Sequence, residues 1–385
     1  FTDALSVTAA IGVYNYNSQL VFNARKVDAT GSGRTWFGQS GASKAHINVD
    51  TVLIGGDILW GTYGTFLSSP SFTVSRNENI KIKYAQTDDS NSGSGVIRFQ
   101  MNNNAILQKD SSSIINVEVE KLVTRINPAI FFDPGSAGDS LINLQANYKI
   151  GQFQRLQNGT DPTIVITPLN TPRTPLVDLK LNIEIDDILP SSESVLSIGQ
   201  SASGFQSQTF SGNSNVKISI GKAVSTGGGV NSATFNIRNL TLQDSSIVHV
   251  HCDYCITSGS NYIFNFNGNN FPDGTRFIIS GTYANRGGGR LINIGSNTNL
   301  SGLTFQDATF INDGVSEWIQ ASGATTIDEI SGLWTNSDST VNVTLESNKL
   351  WAFEYPGNGT YYDLQTVLDS LYNSFVSGSG PNLYT

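Results

Sequence analysis

Three groups of acidic residues stand where a folded chain could bring two carboxylates together. In chain order they are Asp133 and Asp139, Asp186 and Asp187, and Asp307, Asp313 and Glu317. Cleavage of a glycosidic bond requires two carboxyl groups about 5 to 9 Å apart, and neighbouring strands, about 4.8 Å apart, can contribute one each. Trp318 follows the last group as a platform for a sugar ring, so Asp307, Asp313 and Glu317 are the predicted catalytic residues. The alternative for all three groups is that they are solvent-exposed acidic residues in turns with no catalytic role, because Asp is favoured in turns.

A second cluster, the segment from His249 to Cys255, contains both cysteines and two of the three histidines. On a strand, His249 and His251 point to one face and Cys252 points to the other. Cys-x-x-Cys is a spacing found in zinc sites, so a Cys₂His₂ site is one alternative and a disulfide is another. Strand geometry separates the two ligand types and favours core cysteines beside surface histidines. The sequence therefore predicts no metal site, and it suggests no cofactor.

Aromatic side chains are the predicted contacts for a neutral polymer. Sugars present apolar ring faces and hydroxyl groups, which aromatic platforms and Asn or Gln side chains bind without any net charge. The candidate glycan-binding residues are Trp60, Tyr63, Trp318 and Trp334. The alternative is that these side chains fill a core or cap its ends, since large aromatic residues are mostly buried.

Other motifs and partners are disfavoured by what the sequence lacks. It has no glycine-rich phosphate loop and no Gly-x-Ser-x-Gly elbow, and its three histidines are too few and too bunched to favour a Ser-His-Asp arrangement. The net charge is −9 and the 22 Lys and Arg residues are scattered, so no nucleic-acid surface is expected. No apolar run is long enough to span a bilayer, so no membrane insertion is expected.

The elements that position these residues are short β-runs separated by polar turns. The segment Leu240-Thr-Leu-Gln-Asp-Ser-Ser-Ile-Val248 returns as Leu303-Thr-Phe-Gln-Asp-Ala-Thr-Phe-Ile311, with apolar, polar and acidic positions in the same order. Repeats of about 20 to 50 residues are typical of solenoids, and three coils of roughly 21 residues would account for this return. Strict alternation of apolar and polar residues from Leu179 to Ile185 indicates strands with one buried face. The pattern predicts a parallel β-helix.

Three regions follow from this pattern. Residues 1–48 have weak periodicity and are interpreted as an N-terminal cap or linking segment, because a solenoid must cover the open end of its core. Residues 49–350 are the parallel β-helix, with a proline-containing excursion at 161–175. Residues 351–385 are a C-terminal cap or oligomerisation segment with an amphipathic helix at about 363–377, which begins at the N-cap Asp363 and stops at Gly378.

In these runs and turns, typified by Phe72-Thr-Val-Ser-Arg-Asn-Glu-Asn-Ile-Lys-Ile82, the chain resembles the pectate-lyase-like superfamily of single-stranded β-helices. The resemblance covers roughly residues 49–345. It implies an all-β fold, a right-handed parallel β-helix solenoid, to which the sequence adds the short C-terminal amphipathic helix. The superfamily includes pectin-cleaving enzymes, phage tailspikes and tail fibres, and bacterial adhesins. Here no histidine is flanked by glycines and the Arg-rich segment of pectate lyases is missing, so pectin chemistry is not expected.

The resemblance and the composition together favour a phage tail protein. Only 14% of residues are charged, Met occurs once, and no signal segment begins the sequence, all of which fits a virion fibre better than a secreted pectinase. The predicted function is that of a tail spike or tail fibre in the virion tail, which binds a bacterial cell-surface polysaccharide during host attachment alongside other virion tail proteins. The alternatives are a polysaccharide depolymerase, a hydrolase or lyase on the same scaffold, and a bacterial adhesin at the cell surface.

The apolar face of the C-terminal helix predicts the oligomeric state. The face comprises Leu364, Val367, Leu368, Leu371, Tyr372, Phe375 and Val376. It is wider than a surface helix needs, so part of it is available to meet symmetry mates. Fibre proteins of the resembled kind are usually trimers, and a homotrimer with this segment at the axis is expected.

Overall fold

A computed structural model of the chain consists of stacked β-strands between residues 5 and 345. The structure describes the strands named below and the turns at 125–126, 128–129, 156–157, 162–163, 175, 178–179, 194–195, 207, 212–214, 226, 239, 243–246, 258, 268–275, 286, 295 and 300–302. No helix occurs among these residues. The helix predicted at about 363–377, with the trimer contact assigned to it, lies outside them.

The strands are numbered in chain order. They are β1 (Leu5–Ser6), β2 (Ile11–Tyr16), β3 (Gln19–Ala29), β4 (Arg34–Ser40), β5 (Ser43–Ile54), β6 (Asp57–Thr62), β7 (Arg76–Thr87), β8 (Ile97–Met101), β9 (Ser113–Thr124), β10 (Ile130–Asp133), β11 (Leu144–Arg155), β12 (Ile164–Ile166), β13 (Leu176–Val177), β14 (Lys180–Ser191), β15 (Leu196–Gly199), β16 (Gln208–Ser211), β17 (Asn215–Ser225), β18 (Ala233–Arg238), β19 (Leu240–Leu242), β20 (Ile247–Thr257), β21 (Tyr262–Asn267), β22 (Arg276–Asn285), β23 (Arg290–Ile294), β24 (Thr298–Asn299), β25 (Leu303–Asn312), β26 (Ile319–Ala321), β27 (Thr325–Thr326), β28 (Ile330–Asn336) and β29 (Ser339–Leu345).

Two large sheets are built from strands of successive turns. The long-strand sheet has the order β1-β3-β5-β7-β9-β11-β14-β17-β20-β22-β25-β28-β29, and the short-strand sheet has the order β2-β4-β6-β8-β10-β12-β15-β18-β21-β23-β26. A third sheet contains β13, β16 and β19, and β24 pairs with β27. Because the chain visits the sheets in turn and the strands up to β28 pair in parallel with the equivalent strands of neighbouring turns, the molecule is a parallel β-solenoid. The predicted all-β fold class is confirmed.

A continuous apolar core runs inside the turns. In β14, Leu181, Ile183 and Ile185 are buried while the residues between them face outward. Equivalent side chains of the next turn lie directly beside them, as Ile218 does beside Ile183. Burial of each such side chain contributes about 1.5 to 3 kcal/mol, and this repeated contribution offsets the conformational entropy lost in ordering each turn.

The long strands turn a corner part of the way along their length. In β14, Ile185 and Ile188 both face the core, and the two residues between them, Asp186 and Asp187, both face outward. The same change of phase begins at Gly151 in β11, at Gly221 in β17 and at Asp253 in β20. One strand therefore contributes to two sides of the solenoid. Asp186 and Asp187 lie at the corner between those two sides, within β14 and not at its end.

The length of a turn differs from the prediction. Val248 pairs with Phe277 and Phe277 pairs with Leu303, so these two turns take 29 and 26 residues. The predicted coil of roughly 21 residues is wrong. The two similar segments are not equivalent either, because Leu240 begins β19 in the third sheet whereas Leu303 begins β25 in the long-strand sheet. Their likeness reflects shared alternation of apolar and polar residues.

A structural repeat does occur in the turns that lead into the long strands. The hydroxyls of Ser214, Ser246 and Thr275 each donate to the carbonyl three residues earlier, at 2.7, 2.6 and 2.7 Å. Asp244, whose φ is 57°, accepts a hydrogen bond from the backbone N–H of Gly212 in the preceding turn at 2.8 Å. Each of these hydroxyl residues lies two positions before a buried strand residue. A Ser or Thr at this position is therefore the repeated feature of the turns in this part of the chain.

Asparagine side chains link successive turns on the outward face of the long-strand sheet. Asn116 donates from Nδ2 to Oδ1 of Asn79 at 2.9 Å, and Asn147 donates to Oδ1 of Asn116 at 2.8 Å. The parallel register places the three amides in one column. Each amide can donate to one neighbour and accept from the other, so the column extends for as long as Asn recurs at this position.

Replacing the central amide of this column is expected to destabilise the fold modestly. Asn116→Ala removes two hydrogen bonds between turns, and each partly solvated bond contributes about 0.5 to 1 kcal/mol to the free energy of unfolding. Asn48→Ala is the matched control, because Asn48 makes one such bond, to Asn23 at 2.8 Å. Denaturant unfolding followed by circular dichroism should show a larger loss for Asn116→Ala. Equal losses would contradict a cooperative column.

The strand pairing near the two ends of the described solenoid can be compared with the predicted regions. β5 crosses residue 49 and pairs in parallel with β3 and β7, just as the later long strands pair with one another. β29 pairs antiparallel with β28, so the run from Val341 to Leu345 folds back as a hairpin and not as the next parallel rung that its alternation indicates. The division into 1–48, 49–350 and 351–385 stays a prediction. In the part of the chain described above, no helix is long and apolar enough to cross a membrane.

Candidate functional site

Two histidines, a serine and an aspartate meet on the outward face of the long-strand sheet. His249 and His251 lie two residues apart on β20, and Ser280 is the register partner of His251 on β22. Ser280 Oγ is 2.7 Å from His249 Nε2 and 2.7 Å from His251 Nδ1. His251 Nε2 is 2.9 Å from Asp253 Oδ1. We refer to these four residues as the His–Ser cluster.

The partners in the cluster fix the direction of each hydrogen bond. The carboxylate of Asp253 accepts, so His251 donates from Nε2 and carries a lone pair on Nδ1. Ser280 then donates its hydroxyl proton to His251 Nδ1, and its oxygen accepts from Nε2–H of His249. The sequence argument disfavours a Ser-His-Asp arrangement, and the structure nonetheless brings these three residue types within hydrogen-bonding distance, because Ser280 is 29 positions from His251 and arrives from the next turn.

Irregular pairing surrounds the serine on both sides. The register of β20 with β22 shifts between Cys252 and Cys255, and the register of β22 with β25 shifts between Ile279 and Gly281. β-Bulges redirect side chains and are over-represented next to active sites. Both shifts fall beside Ser280, so the cluster lies where the regular ladder of this face is interrupted.

The backbone that follows Ser280 is held in an unusual conformation. Gly281 has a φ of 101°, and a Cβ at this position would overlap the carbonyl oxygen of Cys252. The buried Tyr283 donates from its hydroxyl to the carbonyl of Ser280 at 2.9 Å, and its ring stacks on Phe310 at a centroid distance of 5.6 Å. Burial raises the pKa of Tyr283 well above its ordinary value, so the hydroxyl stays a neutral donor. The core therefore fixes the position of Ser280.

The two cysteines face away from the histidines. Cys252 and Cys255 are buried in the core as free thiols, while His249 and His251 lie on the outward face. A hydrogen bond with Cys252, followed by burial, raises the pKa of the Cys255 thiol well above its ordinary value. The predicted core cysteines beside surface histidines are confirmed, and the alternatives of a Cys₂His₂ zinc site and a disulfide are not formed.

Asp307, one of the predicted catalytic acids, lies beside the His–Ser cluster. The register shift between β22 and β25 places both Gln306 and Asp307 opposite Ser280. Asp307 is exposed and has a φ of 51°, a left-handed conformation that Asp tolerates better than most residues. Asp313 and Glu317, with which it was grouped, lie outside the described residues, so a catalytic carboxylate pair stays a prediction.

The other two acidic pairs lie elsewhere. Asp186 and Asp187 occupy the corner of β14, where Asp187 accepts a long hydrogen bond of 3.4 Å from Nε2 of Gln152. Asp133 ends β10, and Asp139 lies outside the described residues. For Asp186 and Asp187, the position fits the alternative of solvated acids at a change of chain direction.

Two of the four predicted aromatic platforms lie on different sheets. Trp60 lies on β6 of the short-strand sheet and Trp334 on β28 of the long-strand sheet. Tyr63 and Trp318 lie outside the described residues. Tyr254, which the sequence argument did not single out, is half-buried on the outward side of the corner next to Asp253. It is an aromatic ring adjacent to the His–Ser cluster.

Within the described residues, no three His, Cys, Asp or Glu side chains come together in a way that could hold a metal ion. Comparison of the chain with protein-family models, with curated proteins and with solved structures finds no match.

Acidification is expected to destabilise the protein through His249. Burial, followed by the positive charges of His251, Lys217 and Arg276, lowers the pKa of His249 below 6.5 in the folded protein. Between that lowered pKa and 6.5 the unfolded chain binds more protons, so stability is lost as the pH falls through 6.5. His249→Gln should flatten the fall in thermal midpoint between about pH 7.5 and about pH 5. A His249→Gln variant whose thermal midpoint falls as steeply as that of the wild-type protein would contradict this origin.

Proposed function

We propose that this chain is a phage tail spike or tail fibre protein that binds a bacterial surface polysaccharide along the outward face of its long-strand sheet. It acts in the virion tail as a homotrimer, with other tail proteins as partners, during attachment to the host. The observation that carries the proposal is the row of hydrogen-bonded amides, Asn79, Asn116 and Asn147, that successive turns align on this face.

The outward face is polar in a way that suits a neutral or weakly charged polymer. The amide column formed by Asn79, Asn116 and Asn147 offers donors and acceptors at the strand spacing of about 4.8 Å. Beside it, opposite charges of adjacent turns pair with each other, as Lys81 does with Glu118 at 2.9 Å and Lys149 with Glu184 at 3.6 Å. The pairs neutralise one another, so recognition would depend on hydrogen bonding.

Tyr254 and the His–Ser cluster supply a local site on this face. A half-buried aromatic ring can stack on the apolar face of a sugar, while imidazole, hydroxyl and carboxylate groups bind its hydroxyls. Among the residues whose burial is described, the exposed large apolar side chains are Val21 in β3 and Leu156 in the turn after β11. The face is therefore a poor match for an apolar protein partner.

Binding of the purified protein to bacterial surface polysaccharides tests the proposal. Tyr254→Ala should weaken binding about tenfold, because it removes the ring that stacks on the sugar. Tyr262→Ala, a similarly half-buried tyrosine on the short-strand sheet, should leave binding unchanged. Failure of the folded wild-type protein to bind any bacterial surface would overturn the proposal. A monomer in light scattering would refute the trimer.

A further inference from the structure

We propose that Ser280, His251 and Asp253 form a hydrolytic triad that cleaves acyl esters. The site stands on its own geometry. Only the choice of natural substrate, an O-acylated sugar of a bound polysaccharide, rests on the proposed function. Two contacts define the triad: Ser280 Oγ to His251 Nδ1 at 2.7 Å and His251 Nε2 to Asp253 Oδ1 at 2.9 Å. A further contact, His249 Nε2 to Ser280 Oγ at 2.7 Å, adds a second imidazole beside the serine.

The geometry meets the requirements of a nucleophile with a base and an orienting acid. A serine becomes nucleophilic when a neighbouring imidazole accepts its proton, and the imidazole needs a third group to fix its tautomer. Asp253 accepts a hydrogen bond from the Nε2–H of His251, which leaves the Nδ1 lone pair directed at Ser280. In the usual triad Nε2 of the histidine faces the serine and Nδ1 faces the aspartate, and here the two nitrogens are exchanged. The proton transfer is chemically the same, because one nitrogen still donates to the acid and the other still accepts from the serine.

The reaction proceeds in two balanced steps. Ser280 Oγ attacks the ester carbonyl carbon as its proton passes to His251 Nδ1, and the carbonyl electron pair moves to the oxygen. Collapse of this oxyanion expels the sugar alkoxide, which takes the proton from His251 and leaves an acyl group on Ser280. Water then attacks the acyl carbon, again losing its proton to His251. The second collapse releases a carboxylic acid and restores the Ser280 hydroxyl.

His249 is placed to donate a hydrogen bond to the developing oxyanion. Its Nε2–H already points at Ser280 Oγ, and the oxyanion formed on attack is bonded to the carbon next to that oxygen. A neutral imidazole donates here without carrying a charge of its own, which the surrounding positive groups Lys217 and Arg276 favour. The hydroxyl of Tyr283 donates to the Ser280 carbonyl from inside the core and so fixes the position of the serine. Ser280 is 7% exposed, so the ester has to reach a nearly buried hydroxyl between the two imidazoles.

Two measurements on the wild-type protein decide whether the triad is catalytic. Hydrolysis of p-nitrophenyl acetate should exceed the buffer rate, and a fluorophosphonate should add once per chain, with the adduct mapped to Ser280 by peptide mass spectrometry. An adduct at another serine, or no adduct and no hydrolysis, would overturn the proposal. Neither measurement depends on a variant that has to fold.

Variants then assign the roles. Ser280→Ala should lower kcat/KM by about 10³-fold or more and abolish the adduct. Ser219→Ala removes the serine on the other side of His251 in the same column and should retain both hydrolysis and the adduct. A Ser280→Ala protein that hydrolyses the ester at the wild-type rate overturns the triad.

Asp253 acts as a positioning residue, and its expected effect is smaller. Its side chain is 74% exposed and that of His251 is 36% exposed, so water competes for their hydrogen bond. Asp253→Asn should lower kcat about tenfold and leave KM within about twofold, because the change affects the tautomer of His251 and not ester binding. An unchanged kcat would overturn this role. The polysaccharide-binding assay is separate, so absence of glycan binding would remove the proposed substrate without affecting the ester measurements.

Discussion

Gly281→Ala is expected to destabilise the protein so severely that little soluble, folded material is recovered. The φ of 101° at Gly281 costs an L-residue about 1 to 3 kcal/mol. In addition, the new Cβ would overlap the carbonyl oxygen of Cys252, which belongs to the backbone of the adjacent turn and cannot move without breaking the ladder. Together these effects should exceed about 4 kcal/mol, a loss at the extreme of single substitutions. Soluble yield and the denaturation midpoint measure it.

Gly274→Ala separates backbone strain from steric overlap. Gly274 also has a positive φ, 87°, but its nearest contact for a new Cβ is the Asp244 carbonyl oxygen at 3.9 Å, an ordinary van der Waals distance. It should therefore lose only about 1 to 2 kcal/mol. If both alanine variants are equally stable, the close approach of Gly281 to Cys252 is incorrect, and with it the support for the position of Ser280.

Phe264→Ala should cost about 3 to 5 kcal/mol of unfolding free energy, because it opens a cavity in the aromatic part of the core. The ring of Phe264 stacks on Phe235 at 4.8 Å and meets Tyr283 edge-on at 5.0 Å. It also lies 6.1 Å from Phe266 and 6.2 Å from Phe310. The side chain thus connects three turns of the solenoid, and its loss affects each of them.

Phe264→Leu is the control for this cavity. Leucine retains most of the buried apolar volume but none of the ring contacts, so it should recover more than half of the stability lost in the alanine variant. Unfolding in denaturant, followed by circular dichroism and by tyrosine fluorescence, measures both changes. A loss below about 1 kcal/mol for the alanine variant would show that this core is not closely packed.

The fold class could be predicted because alternation of side chains depends only on neighbours along the chain. The alternation of Leu181, Ile183 and Ile185 with polar residues predicts a strand with one buried face, whatever the position of that strand in the fold. The length of a turn could not be predicted in the same way, since it depends on which residues pair one turn later. The run Ile164–Ile166 shows a second limit. Its flanking prolines indicated an excursion, yet it forms strand β12, because both prolines lie outside the three paired residues.

The candidate site was predicted only in part. The cluster of histidines is visible in the sequence because its members are adjacent, and Asp307 was selected because it is followed by two further acids, Asp313 and Glu317, and by Trp318. Ser280 carries no local signal, because one serine in a Ser-rich chain becomes distinctive only when the register sets it between two imidazoles. A sequence signal that could have found it is the neighbouring glycine. Gly281 stands where alternation calls for a core residue, which indicates a bulge or a close backbone approach.

The parallel ladder also determines how the chain is able to fold. Each long strand pairs with strands one turn earlier and one turn later, so no described pairing joins distant ends of the sequence. Once one turn is formed, the next can dock on its exposed edge with a short loop to close, and assembly can advance in one direction as the chain leaves the ribosome. Turns near the N-terminus would then be structured before Ser280 has been synthesised, and the His–Ser cluster would be completed late, when β22 docks on β20.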